Sequence, residues 1–167
     1  MDRRRVARNV ALLLLAVGVA YLVVNPPLWL VPVGEYDTTT VTAVDADGTE
    51  LATVDVRIAD TDKKRHVGLS ETDSLAPDAG MLFVFDGDGP HSFYMPKEMA
   101  FPLDIVFVAG NGTVTAIHHA PLPADVPEGT DARYVGRGRY VLEVNMGWTN
   151  TTGLDVGDRI EVPATAG

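Results

Sequence analysis

The sequence predicts a mainly β domain, a small barrel or sandwich of about seven to eight short strands with one or two short helices, behind one N-terminal transmembrane helix. Short runs of β-branched and apolar residues recur along the body, separated by Gly, Pro, Asp and Asn clusters, as in all-β domains. No charged residue occurs from Asn9 to Gly34. A chain of 167 residues, 46% hydrophobic, suits one domain with a real core.

The N-terminal apolar run is Val10 to Val24, continuing through Asn25, Pro26 and Pro27 to Leu28–Val31. A membrane helix needs roughly 20 mostly apolar residues at ~1.5 Å each to cross ~30 Å of hydrocarbon. This one meets the requirement by running to Trp29, with a kink or end at the prolines. Tyr21 and Trp29 suit the membrane interface. Arg3, Arg4, Arg5 and Arg8 precede the run, so the N-terminus is expected inside the cell membrane and the body outside. The expected organisation is a basic cytoplasmic end over 1–8, a single-pass anchor over 9–31 and a linker over 32–37. An extracytoplasmic domain over 38–163 and a tail over 164–167 follow. A cleaved signal peptide is the alternative, with Gly18-Val19-Ala20 as the small-residue site. Arg3-Arg4-Arg5 raises twin-arginine export, but the rest of that pattern is missing. Either leader puts the domain outside.

Along the body, Thr38–Val44 is β-branched and Asp45–Gly48 is turn chemistry. Leu51–Ile58 alternates, with Leu51, Val54, Val56 and Ile58 inward, which completes a hairpin. Asp60 and Thr61 cap two helical turns, Lys63–Leu69. Met81–Phe85 reads as a buried strand and His91–Met95 as its hairpin partner, reversed at Asp86–Pro90. Leu103–Val108 is a second buried strand, paired with Val114–His119 across the tight turn Gly110–Gly112. A proline-bearing acidic loop spans Pro121–Asp131. Arg139–Asn145 is a further strand, Gly147–Thr152 one helical turn, and Asp158–Val162 the closing strand.

Composition excludes several classes. The chain has no cysteine, hence no disulfide, thiolate metal site, cysteine nucleophile or lipidated N-terminal cysteine. Residues 25–167 hold 13 − 4 = 9 basic and 23 − 1 = 22 acidic groups, a balance of −13. Such a surface repels phosphates and anionic lipid headgroups, so nucleic acid is not an expected partner. Lysine is confined to Lys63, Lys64 and Lys97, and an acid excess with so little lysine suits work in concentrated salt, where repulsion is screened within a few Å.

Several motifs then occur in order: Arg65-x-x-Gly68-Leu69, Gly80-Met81-Leu82-Phe83-Val84-Phe85, Phe93-Tyr94-Met95, Pro102-Leu103-Asp104-Ile105-Val106-Phe107, Tyr140-Val141-Leu142-Glu143, Gly153 and Gly157-Asp158. Together they resemble domain-of-unknown-function family 192, over Thr38 to Val162, with the charge of a haloarchaeal-like member. The resemblance implies a compact β-rich domain, often exported or anchored, and assigns no activity. The family commonly has tryptophan where Tyr94 stands, a Lys-Asn-Thr run where Pro96-Lys97-Glu98 stands, and methionine at Ser70.

Candidate binding residues are Arg65, Phe93, Tyr94, Met95, Asp104 and Glu143. Tyr94 lines a pocket or marks a rim outside a core made by Phe93 and Met95, because alternate strand residues face opposite ways. Asp104 and Glu143 interrupt apolar strands, and a buried carboxylate must be paired or face a polar cavity. They are an acid–base pair, or each is a structural acid, with Arg65 a partner for Asp104. His118 and His119 are adjacent and face opposite ways; with His66 and His91 they show no metal spacing, and no metal or cofactor is expected. No Gly-x-Ser-x-Gly elbow is present, and Gly87-x-Gly89 precedes no helix. Asn111 and Asn150 head glycosylation sequons. The reading is a non-catalytic module that binds a small polar ligand or serves an envelope protein. The alternatives are a hydrolase using Asp104 and Glu143, or an envelope protein-interaction domain.

Overall fold

The computed structural model describes residues 3–27, 30, 32–97, 99–126 and 133–166, in two compact units, Met1–Val33 and Gly34–Gly167. In the first unit α1 spans Arg3–Val24, rich in the strong helix formers Ala, Leu and Arg. It ends where Asn25 donates its backbone N–H (2.8 Å) and its Nδ2 (3.2 Å) to the Tyr21 carbonyl. Pro26 and Pro27 follow and cannot extend the ladder. Among the described residues no helix is long and apolar enough to cross a membrane. The expected span runs through Leu28, Trp29 and Val31, which lie outside the described residues.

The second unit is the β domain. Strands β1 (Thr38–Val44), β2 (Glu50–Ala59), β3 (Ala79–Tyr94), β4 (Leu103–Val108), β5 (Val114–Ala120), β6 (Arg133–Asn145) and β7 (Arg159–Glu161) form one sheet, ordered β5-β4-β6-β3-β2-β1-β7. Neighbours are antiparallel except β2 and β3, which run parallel. That parallel step needs a crossover, which carries α2 (Asp62–Val67). A single helical turn, α3 (Trp148–Thr152), follows β6. The two ends of the sheet meet. Thr113 bridges Arg159, the Val114 N–H donates to the Asp158 carbonyl (2.8 Å), and the Ile160 N–H donates to the Gly112 carbonyl (2.8 Å). Of the two expected architectures the domain therefore takes the barrel, partly closed.

Local chemistry explains the turns. The Asp45 carboxylate accepts the N–H groups of Asp47 (2.9 Å) and Thr49 (2.8 Å), which tightens the β1–β2 hairpin. Thr61 Oγ1 accepts the Lys64 N–H at 3.2 Å and caps α2, as its position predicts. One expectation needs correction. Asp86–Pro90 does not reverse the chain, and Met81–Phe85 and His91–Met95 belong to one strand, β3. Pairing with β6 passes from Val84 opposite Tyr140 to Gly89 opposite Gly138, so residues 85–88 face Arg139 alone. The Asp- and Gly-rich run forms a bulge that bends the strand. β6 consequently begins at Arg133, ahead of the expected Arg139, because it accompanies β3 to Tyr94.

Alternation divides the core. One cluster, with Val41, Val54, Val56, Leu82, Val106, Leu142 and Ile160, fills the barrel. The other, with Met81, Phe83, Ile105, Phe107 and Val141, lies on the opposite face under Leu69, Met95 and Met99. The strands approach closely at Gly138, where an added Cβ would lie 2.2 Å from the Val108 carbonyl oxygen. Gly138→Ala is expected to lower the unfolding free energy by roughly 2 kcal/mol or more. A urea melt checks this, and unchanged stability would refute the close-approach account.

Candidate functional site

Glu143 stands in β6 opposite Met81 of β3 and Ile105 of β4. Its side chain therefore emerges on the face with Met81, Phe83 and Ile105, away from the barrel interior. It is 7% exposed. Above it the chain forms a small cleft of about 70 Å³. The segment after α2 contributes Gly68 and Leu69, the end of β3 contributes Phe93 and Tyr94, and the following loop contributes Met95 and Met99. Phe93 is held edge-on against Phe83 (4.9 Å between centroids, 88°) and Phe107 (5.9 Å, 86°). Gly68 adopts φ +52° with Phe83 Cζ at 3.2 Å from any added Cβ, so the α2 terminus can approach the sheet here.

Among the described residues no hydrogen bond or ion pair offsets the burial of Glu143, and desolvation pushes its carboxyl up to about 8. The acid is neutral at pH 7 and can donate one hydrogen bond into the cleft; above pH 8 it becomes a carboxylate that accepts.

Arg65, at the cleft margin, is committed elsewhere. Its Nη1 donates to the Asp60 and Val84 carbonyls (2.7 Å each), its Nη2 donates to Asp62 Oδ1 (2.7 Å), and its guanidinium lies 5.2 Å from the Phe85 ring centroid. It ties α2 to the bulged part of β3. The expected Arg65–Asp104 pair is not formed.

Asp104 has a different role. It is fully buried in β4, opposite Val144, on the other face of the sheet from Glu143. Its Oδ2 accepts the N–H groups of Gly147 (3.1 Å) and Thr149 (2.9 Å) and the Thr149 hydroxyl (2.7 Å). Its Oδ1 meets His119 Nδ1 at 2.7 Å. Asp104 is thus a long-range cap for α3, satisfying donors that the helix start leaves free. The two acids do not share a cleft.

Of the sequence-derived candidates, Arg65, Phe93, Tyr94, Met95 and Glu143 converge on one cleft and Asp104 does not. Tyr94 is 63% exposed, at the rim, while Met95 is buried. The sequence reading missed Leu69 and Met99 as cleft residues and His66 as a rim group. Only the Gly68-Leu69 motif could have signalled the first. Asn111 and Asn150 are exposed. Histidines scatter: His91 Nε2 bonds the Gly138 carbonyl (2.9 Å) and His118 Nε2 the Val135 carbonyl (2.8 Å). Among the described residues no group of three or more His, Cys, Asp or Glu is placed to hold a metal.

A partly closed seven-stranded barrel with a cleft over the buried Glu143 defines the class of domain. The model of the family DUF192, described as an uncharacterized ACR, matches residues 42–162, and the chain belongs to that family. It is similar to a solved Sinorhizobium meliloti protein described as a candidate transcription regulator, at 34% identity and a TM-score of 0.66, covering 77% of this chain and 97% of that one. It is also similar to a Novosphingobium aromaticivorans protein of unknown function, at 27% identity and a TM-score of 0.65, covering 79% and 90%. No curated protein matches it.

Two outcomes follow from the two acids. An unfolded Glu143 releases its proton near 4.5 and the folded one near 8, so between these values the folded state binds more protons and stability falls as pH rises. The loss across that window is on the order of 4 kcal/mol. The neutral isostere Glu143→Gln is expected to melt higher than the native protein above pH 8 and alike at pH 4.5; calorimetry across pH checks the crossover. Asp104→Ala strands the buried donors of Gly147 and Thr149 and is expected to cost about 3 kcal/mol by chemical denaturation.

Proposed function

We propose that the protein is a non-catalytic module that binds a small polar ligand over Glu143, held on the outer face of a membrane by its N-terminal helix. One observation carries the binding reading: a nearly buried carboxyl opens into a cleft, and among the described residues no hydrogen bond or ion pair meets it. Buried polar groups in native proteins are nearly always satisfied. A ligand that completes the bonding of Glu143 accounts for its retention. The lining sets the apolar Leu69, Phe93, Met95 and Met99 beside the polar Arg65, His66 and Tyr94, so a ligand there meets both kinds of surface.

A hydrolase built on Asp104 and Glu143 needs both carboxyls at one substrate. They emerge on opposite faces of the sheet, and Asp104 is saturated by its bonds to Gly147, Thr149 and His119. The regulator description of the Sinorhizobium protein would bring nucleic acid to this chain. A balance of 9 bases against 22 acids over residues 25–167 opposes phosphate contacts.

The anchor reading rests on the uncharged stretch Asn9–Gly34, the arginines before it and the acidic body after it. The same acid excess suits a salt-rich exterior.

A screen of the full chain in high salt against small polar metabolites tests the binding. A ligand of the folded state raises the melting temperature, and the rise is expected to vanish in Glu143→Gln. Ligands whose shift survives that substitution would move the site elsewhere. Protease added to intact cells is expected to remove the β domain; its full protection would refute the outside placement.

A further inference from the structure

We infer that the cleft over Glu143 takes a small organic ammonium group, held by that carboxylate and by the aromatic and thioether side chains of Phe93, Tyr94, Met95 and Met99. The inference rests on the ligand-binding reading above and names the ligand's chemistry.

Size limits the occupant. The cleft offers about 70 Å³, whereas a cavity of ~150 Å³ accommodates benzene. Roughly three heavy atoms fit, which admits an amine headgroup and excludes a nucleotide, a sugar ring or a common cofactor. Any larger ligand leaves its remainder outside, past Tyr94.

Chemistry selects the sign of charge. Among the described residues Glu143 is the one carboxyl lining the cleft and no hydrogen bond or ion pair meets it; an ammonium supplies both the opposite charge and N–H donors. Aromatic faces attract cations through their quadrupole, and Phe93 and Tyr94 stand at the entrance. Methionine sulfur is polarizable and packs against such groups without competing for hydrogen bonds. The chain's net charge of −10 raises the local concentration of cations. Three of the Arg65 N–H donors are already taken by the Asp60 and Val84 carbonyls and by Asp62 Oδ1, so an anion would compete with Asp62 for this guanidinium.

Protons couple to the event. Facing Glu143 around the cleft, α2 brings Arg65 and His66 and β3 brings Tyr94; the residues from β4 and the 95–99 loop are Leu103, Met95, Pro96 and Met99. Glu143 must lose its proton to pair with a cation, whereas a simple ammonium stays charged to about pH 10. Binding therefore releases one proton below pH 8 and none above it. A neutral ligand that accepts a hydrogen bond from protonated Glu143 would behave oppositely and weaken above pH 8.

The test is calorimetric titration of the full chain in detergent micelles with methylammonium, with acetamide as the neutral probe and Cu(I) as the soft-metal probe. Methylammonium affinity is expected to rise about tenfold per pH unit from 5.5 to 7.5 and to level off above pH 8.5. It is expected to fall at least tenfold in Glu143→Gln and severalfold in Tyr94→Ala. Carbon NMR of the Glu143 carboxyl is expected to show its titration, near 8 in the free protein, move down at saturating methylammonium. Acetamide or Cu(I) binding lost in Glu143→Gln, without methylammonium binding, overturns the ammonium assignment and leaves the cleft a ligand site. No binding by any probe, with the carboxyl titration unmoved, overturns both readings.

Discussion

The pairing of β6 between β3 and β4 is the constraint on which the rest of the domain depends. β6 hydrogen-bonds on both sides, from Tyr140 to Val144 against β3 and from Tyr140 to Asn145 against β4. Side chains alternate with a period of two, so this register sends Leu142 and Val144 into the barrel and Val141 and Glu143 to the opposite face. A slip by one residue would put Glu143 into the barrel core, in place of Leu142 and Val144. The register is therefore set by hydrophobic burial, and the position of the acid follows from it. Asp104 is sent to the other face by the same rule, because it stands opposite Val144 while Ile105 stands opposite Glu143.

Asp104 and Glu143, both buried, illustrate two answers to one electrostatic problem. Asp104 is met by backbone donors, a hydroxyl and an imidazole, so its burial secures the start of α3. Among the described residues no hydrogen bond or ion pair meets Glu143, and burial raises its carboxyl to about 8. The nearby arginine does not relieve it, since Arg65 bridges α2 to β3 at the bulge.

Much of the secondary structure was legible because β-branched runs and Asp/Gly turns act locally. Thr38–Val44 and Leu103–Val108 match their strands residue for residue, and Thr61 caps α2 where its hydroxyl suggested. The misread segment, Asp86–Pro90, has the composition of a hairpin turn. A turn and a bulge use the same residue types, and only the presence of β6 alongside decides between them. The convergence of Arg65, Phe93, Tyr94, Met95 and Glu143 was half visible: the residue types were conspicuous, but their meeting point was not. Met99 was invisible, and Leu69 was marked only by its place in the Gly68-Leu69 motif, because their burial comes from segments that fold over the sheet.

By itself the sequence determined the β class, most of the strand positions, the short capped helix, the acidic charge and the uncharged N-terminal run, since each follows from residue chemistry within a few positions along the chain. Tertiary structure alone decided that the sheet partly closes on itself, that Asp104 caps a distant helix, and that Glu143 lies beneath a cleft. These depend on which strands become neighbours and on which face of each strand is covered. Contacts between residues forty or more positions apart, such as Asp104 with Thr149, are fixed by the packing of the whole chain, and no local pattern encodes them.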